Sequence, residues 1–379
     1  MKPHLEVADI FSQYGDQLTS VSTDCYKVMR AITNCRTEKL GRHVRTCSSC
    51  QFEEISYNSC RNRHCPKCQF MTRVNWVTKR EEELLPLKYF HVVFTLPSEL
   101  NPLILQNKAL LYDLLFKASA ETLKEVAKRK KNMGADLGFI GVLHTWGQNL
   151  LDHPHVHYIV PGGGLHQKNL VQTKRKYLLP VKILSQVFKG KFLSDLENLH
   201  QKGKLQFHGQ IKNYSDVTKF KGLLSECARK VWVVYAKQPF NGPKQVISYL
   251  GQYTHRIAIS NHRLVKIEDD RVYFKYRDSR NENKSKIMSL HVKEFMRRFL
   301  LHVLPRGYVR IRHFGILASR LKKETIELMR NLTEAPPPIT RTVTDVLREI
   351  IGADITQCPH CKAGVMTLKT SSFPWKNTA

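Results

Sequence analysis

The apolar positions of this chain change their period several times, and each change marks an element. The run His91-Val-Val-Phe-Thr-Leu96, stopped by Pro97, predicts a strand. A helix is predicted from about residue 103 to 131, and its basic end, Lys128 to Lys131, complements a helix C-terminus. Residues 139–146 and 156–160 predict two strands joined by a turn at 152–154, and Gly162-Gly163-Gly164 breaks the second. Residues 216–235 predict a helix, and 244–253 a second one after Pro243. Residues 271–276 and 308–314 predict further strands, with a helix over 292–304 between them. Strands joined by hairpins and mixed with helices predict an α+β fold, a central antiparallel sheet flanked by helices. Three regions follow. Residues 1–88 form a small cysteine-rich domain with weak periodicity, 89–330 the sheet domain, and 331–379 a tail. The tail begins with a linker at Pro336, Pro337 and Pro338, followed by a short helix and a last CxxC.

Charge narrows the function. The chain has 61 Lys and Arg against 32 Asp and Glu, a formal net charge of +29 over 379 residues. Such a field attracts polyanions, and nucleic acid is the default one in a cell. A membrane surface would call for a basic amphipathic anchor, whereas the charge here is spread along the whole chain. The longest apolar runs are too short to span a bilayer, and residues 1–10 carry acids instead of an apolar signal core. The expectation is a cytoplasmic, nucleoid-associated protein that partners DNA and no membrane.

Six of the ten cysteines stand in CxxC pairs, which in a reducing compartment means metal ligation. Cys47, Cys50, Cys65 and Cys68 form two knuckles fourteen residues apart, a spacing that predicts one structural Zn²⁺. Cys35, His43, Cys60 and His64 interleave with them and could form a second site. The basic segment Cys60-Arg-Asn-Arg-His-Cys65 makes Arg61 and Arg63 candidate DNA contacts. Cys358 and Cys361 have no second pair nearby in sequence; they could use His360, another domain, or no metal.

The densest chemical motif is His153-Pro-His155-Val-His157. Residues i and i+2 of a strand share a face, so His155 and His157 offer half of a metal site. Taken alone, the motif favours a plainer reading, two exposed strand histidines or one core histidine. A second constellation is Tyr249-Leu-Gly-Gln-Tyr253, with two tyrosines one helical turn apart and Arg256 placed to bind phosphate. A tyrosine can act as a covalent nucleophile, and a metal at the histidines would polarise the phosphate it attacks.

With these segments, the chain resembles the HUH (His-hydrophobic-His) nucleases, and within them the two-tyrosine, rolling-circle insertion-sequence transposases related to the ISCR common-region elements. The resemblance runs through Cys60-Arg-Asn-Arg-His-Cys-Pro-Lys-Cys68, His144-Thr-Trp-Gly147, residues 153–165, residues 249–256 and Cys358-Pro-His-Cys361, in that order. It implies single-stranded DNA transfer through a 5′-phosphotyrosine, with Tyr249 and Tyr253 as nucleophiles and His155 and His157 as metal ligands. For the third ligand, Gln148 is the first expectation, with Gln252 and Asn149 as alternatives. Imidazoles with a neutral ligand suit Mg²⁺ or Mn²⁺, with Mn²⁺ the more comfortable. Three rival readings remain: a plasmid replication initiator or relaxase, a non-catalytic zinc-dependent DNA-binding protein, and a zinc hydrolase. The last lacks an HExxH-type base.

Overall fold

The computed structural model describes residues 4–173, 177–236, 245, 251, 257–278, 282, 284–337 and 341–372. Helices α1 (Val7–Tyr14) and α2 (Thr23–Thr33) open the chain, and Ser22 caps α2 by accepting from the Cys25 amide. Strands β1 (Arg42–Cys47) and β2 (Glu53–Tyr57) form a hairpin, followed by α3 (Gln69–Glu81). Strand β3 (Tyr89–Thr95) leads to α4 (Asn101–Gln106) and α5 (Lys108–Lys128), which split the single helix expected there. Next come β4 (Gly138–Trp146) and β5 (Asp152–Pro161). The turn joining them lies at 147–151; residues 152–154, expected as the turn, already belong to β5. A small hairpin follows, β6 (Gly163–His166) and β7 (Asn169–Gln172), then helices α6 (Val181–Gln201) and α7 (Val217–Arg229) and strand β8 (Val234–Ala236).

The helix expected over 216–235 therefore stops at Arg229. The sequence beyond it alternates with period two. Trp232 and Val234 are buried, while Val231, Val233 and Tyr235 are exposed. That pattern suits the edge of a sheet, and β8 pairs with β3.

The central sheet has the order β12-β4-β5-β3-β8 and is antiparallel throughout, with β12 (Ile311–Gly315) at the far edge. One face is fully apolar: Phe90, Val92, Phe94, Phe139, Leu143, Val156, Tyr158 and Val160 pack beneath α5 and α6. Helix α6 contributes Leu184, Phe188, Phe192 and Leu196, a four-residue spacing that forms one stripe. Each such side chain contributes about 1.5–3 kcal/mol by leaving water. The rigid layer so formed fixes the opposite face, where the histidines stand.

The remaining strands, β9 (Leu264–Glu268), β10 (Arg271–Asp278) and β11 (Lys284–His291), form a separate antiparallel sheet ahead of α8 (Val292–Leu301). Helix α8 packs its apolar side against the N-terminal helices, with Phe299 edge-on to Phe11 at 5.4 Å. Val7, Ile10, Val28, Ile32, Phe274, Phe295 and Met296 complete this second core, together with Cys35, Cys65 and Cys68. Residues from both sides of the boundary expected at residue 88 share this core. The chain continues with α9 (Lys322–Leu332) and α10 (Val343–Ile351) and ends its described part in β13 (Met366–Ser371). The tail is not a loose appendage. Helix α10 packs Val346 and Leu347 on Val74 of α3, and β13 pairs with β1 to complete a three-stranded sheet. Among the described residues no helix is long and apolar enough to cross a membrane.

Candidate active site and zinc centres

Register brings three histidines together. In β5, alternation puts His155 and His157 on the face opposite the apolar layer. His144 of β4 lies directly across from His155, and directly opposed residues of an antiparallel pair project to the same face. The ligating nitrogens of His144, His155 and His157 lie within 4.8 Å of one another. That convergence fits one cation bound by imidazole, which favours first-row divalent metals. His157 and His144 are buried and His155 is half-buried.

The surroundings hold these rings in place. His157 Nδ1 lies 2.7 Å from Nε2 of His91 on β3, which fixes the orientation of the ring. His91 and His157 are also stacked, 5.0 Å apart and 7° from parallel. His155 Nδ1 is 2.5 Å from the His153 carbonyl. A bulge between His144 and Trp146 turns the end of β4 and lays the Trp146 indole on the His144 ring, at 4.9 Å and 20°.

His144 is the member of this cluster that sequence reasoning missed. The signal was the hairpin register, which places residue 144 opposite 155. Gln148, expected as third ligand, lies four residues further on in the turn, and its main-chain carbonyl accepts from Arg263 at 2.5 Å. The side-chain oxygen of Asn149 accepts from the Leu151 amide, which closes that turn. Gln252, Tyr249, Tyr253 and Arg256 lie outside the described residues. Of their segment, Gln245 and Gly251 are described, and both are helical. Gly251 touches α3 closely: a Cβ there would come 2.6 Å from Val77, so only glycine allows this approach.

Beside the site, Asp152 and His302 form a buried pair, with Oδ1 3.9 Å from Nδ1. His302 also contacts Thr145 through Nδ1 and the Leu150 carbonyl through Nε2, and burial pushes it down to about 4. Burial raises Asp152 to about 6, from 3.8, against the opposing pull of Lys108 and Arg297. Its Oδ1 is buried without a hydrogen bond among the described residues. A carboxyl whose folded value is raised stabilises the protein in its protonated form, and that contribution is lost as pH rises through about 6. Asp152→Asn is therefore expected to stabilise the protein by up to about 3 kcal/mol at pH 7.5, with the gain fading between about pH 6 and 4. Urea unfolding at several pH values checks this; an equal gain at pH 4 and 7.5 would contradict it.

The thiols group differently from the sequence expectation. Cys35, Cys60, Cys65 and Cys68 form one cluster, with Sγ–Sγ separations of 3.4 Å (Cys35–Cys68) and 3.5 Å (Cys60–Cys68). Cys47 and Cys50 do not join Cys65 and Cys68; they meet Cys358 and Cys361 instead. The reason is the pairing of β1 with β13, which sequence spacing could not reveal. A tetrahedron of thiolates about 2.3 Å from Zn²⁺ has edges of about 3.8 Å, which the observed separations approach. His43 lies on β1 opposite Ser56 and Ser371, in neither cluster. His64 is also no ligand; its Nε2 accepts from the Leu304 amide at 3.5 Å, and burial among cations holds it near 3. Arg61 is exposed. Arg63 donates to the carbonyls of Tyr308, at 2.5 Å, and Pro305, at 3.2 Å. It fastens the cysteine-rich module to the segment before β12.

An antiparallel sheet with a histidine cluster on one face and clustered thiols in the module beside it defines a protein with groups suited to binding metal, zinc among them. Comparison with known proteins agrees. Residues 138–325 match the family described as "Putative transposase", and residues 6–96 match the "Transposase zinc-binding domain". The chain is 46% identical over 377 residues to "Putative transposase y4qJ" of Sinorhizobium fredii, covering 95% of this chain and 94% of the relative. It is 28% identical over 344 residues to "Transposase for insertion sequence element IS801" of Pseudomonas savastanoi pv. phaseolicola, covering 87% and 80%. No solved structure matches. The chain belongs to the zinc-binding transposases of this insertion-sequence family.

Proposed function

We propose that this transposase nicks and rejoins single-stranded DNA through a 5′-phosphotyrosine, driving rolling-circle-type transposition, with the cutting chemistry in residues 89–330. The observation that carries this reading is the convergence of His144, His155 and His157 on the face of the sheet opposite the apolar layer. These three imidazoles would hold a divalent ion, Mn²⁺ more readily than Mg²⁺, which would neutralise charge on the phosphoryl oxygens of the scissile group. A phenol oxygen of Tyr249 or Tyr253 attacks the phosphorus. The bond to the 3′ oxygen breaks, that oxygen leaves with a proton as a free 3′-OH, and the 5′ end stays on the tyrosine. Attack by a 3′-OH on the phosphotyrosine reverses the exchange and joins the strand to a new partner. His91 keeps the His157 ring oriented throughout. The net charge of +29 draws the DNA, with the exposed Arg61 and, in the segment after the tyrosines, Arg256 as contacts.

The test is incubation of the protein with a labelled single-stranded element end and Mn²⁺, followed by a denaturing gel that reveals covalent adducts. His144→Ala, His155→Ala and His157→Ala are each expected to lower adduct formation by about 100-fold or more. DNA binding should stay largely intact. Gln148→Ala, made alongside, should retain metal. Full adduct formation by a His155→Ala/His157→Ala double variant would overturn the reading. Loss of metal from Gln148→Ala but not from His144→Ala would move the third ligand to Gln148.

A further inference from the structure

We propose that Cys47, Cys50, Cys358 and Cys361 form a second, structural zinc site that clasps the C-terminal tail onto the N-terminal hairpin. The matched zinc-binding family segment ends at residue 96, so half of this ligand set lies more than 250 residues outside it.

The geometry is that of two zinc knuckles facing each other. Cys47 Sγ lies 3.7 Å from Cys361 Sγ, and Cys50 Sγ lies 3.8 Å from Cys358 Sγ, the edge length of a tetrahedral thiolate site. Backbone amides point at the sulfurs on both sides. Ser49 and Cys50 donate to Cys47 Sγ, and Gly364 donates to Cys361 Sγ, all at 3.4 Å. Such donors favour the thiolate form that a cation requires. The knuckles also fit around each other. A Cβ on Gly364 would come 2.5 Å from Cys47 Sγ, so this position admits only glycine. Ser48 donates its amide to the Val365 carbonyl and accepts from the Val365 amide at its hydroxyl, both at 3.0 Å.

The site also has a frame. Strand β13 runs antiparallel to β1 from Met366 opposite Cys47 to Ser371 opposite His43. His360 stacks on Phe52 at 5.4 Å and 6°. Among the described residues its core is small: Cys47, Cys358 and Met366 are buried, with Phe52 and Cys361 partly buried against them. So small a cluster does not by itself hold a three-stranded sheet, and structural zinc supplies folding free energy in such cases. The site has four thiolates and no open position, which makes it structural. The N-terminal module is then incomplete without the tail, and the two ends of the chain form one unit.

Full-length protein tests this with Co²⁺ in place of Zn²⁺. Thiolate-to-cobalt charge transfer counts four-thiolate sites and ignores any ion at the histidines. The wild type is expected to show two such sites and the Cys358→Ser/Cys361→Ser variant one. An unchanged signal in the variant would overturn the proposal, because it would mean that Cys47 and Cys50 ligate with other residues. Alkylation mapping of the unaltered zinc protein guards against misfolding of the variant. As chelator is raised, Cys358 and Cys361 should become reactive together with Cys47 and Cys50. Reactive Cys358 and Cys361 beside protected Cys47 and Cys50 would refute the shared site.

Discussion

Replacing Tyr249 and Tyr253 together with phenylalanine is expected to abolish covalent protein–DNA adducts, a loss of at least about 10³-fold in strand cleavage. Phenylalanine keeps the ring and removes the nucleophilic oxygen, so the substitution separates chemistry from packing. The two tyrosines stand four positions apart, and the described residues of their segment, Gln245 and Gly251, are helical. On a helix that spacing puts both phenols on one face. A single tyrosine is occupied once it carries the 5′ end of the cut strand. In the proposed mechanism a second tyrosine would attack another phosphate without release of the first. Each single variant should therefore impair complete transposition, and at least one should still form an adduct. If both tyrosines only pack, the double variant stays active, and a phosphotyrosine adduct persisting in it would exclude this pair. That result would leave the histidine cluster untouched, since the metal-dependence of cleavage is measured with the alanine variants at His144, His155 and His157.

Much of the central fold and part of the site were legible in the sequence, and the reasons differ by residue. His155 and His157 could be placed on one face because period two is a property of any strand. His144 could not, because its place beside His155 depends on the turn at 147–151, and the sequence was read with that turn at 152–154. Helix α6 went unread although Leu184, Phe188, Phe192 and Leu196 are spaced as a buried stripe. The exposed Gly190 in its middle weakened its helical signature. The thiol partition failed for a topological reason. Cysteine spacing reports which pairs make knuckles, and both N-terminal pairs do stand in clusters. Which knuckle meets which is decided by strand pairing between residues more than 300 positions apart. Arg63 illustrates a further limit: basic composition attracts DNA in the aggregate, while this guanidinium is spent on two main-chain carbonyls.

Removal of zinc from the Cys35, Cys60, Cys65 and Cys68 cluster is expected to unfold the second core, not the central sheet. Structural zinc contributes about 10–16 kcal/mol in small zinc-dependent folds, comparable with the entire stability of a typical domain, about 5–15 kcal/mol. Here the ligands are themselves part of the packing. Cys35, Cys65 and Cys68 are buried against the same set that contains Phe11, Ile32, Phe295 and Phe299. Four thiols without a cation cannot all ionise at this spacing, and protonated sulfurs lose the attraction that draws Cys35 at the end of α2 toward Cys68 at the start of α3. Cys65→Ser, or chelation, should therefore expose α1, α2 and α8 to hydrogen exchange together, because α8 completes their core. Strands β3, β4 and β5 should keep their protection, since they are buried beneath α5 and α6. Hydrogen exchange read by mass spectrometry distinguishes these regions in one experiment. Undiminished protection of α1 and α2 after complete loss of zinc would show that apolar packing alone holds this core. Loss of protection in α1 and α2 but not in α8 would show that the N-terminal module folds independently of the C-terminal half.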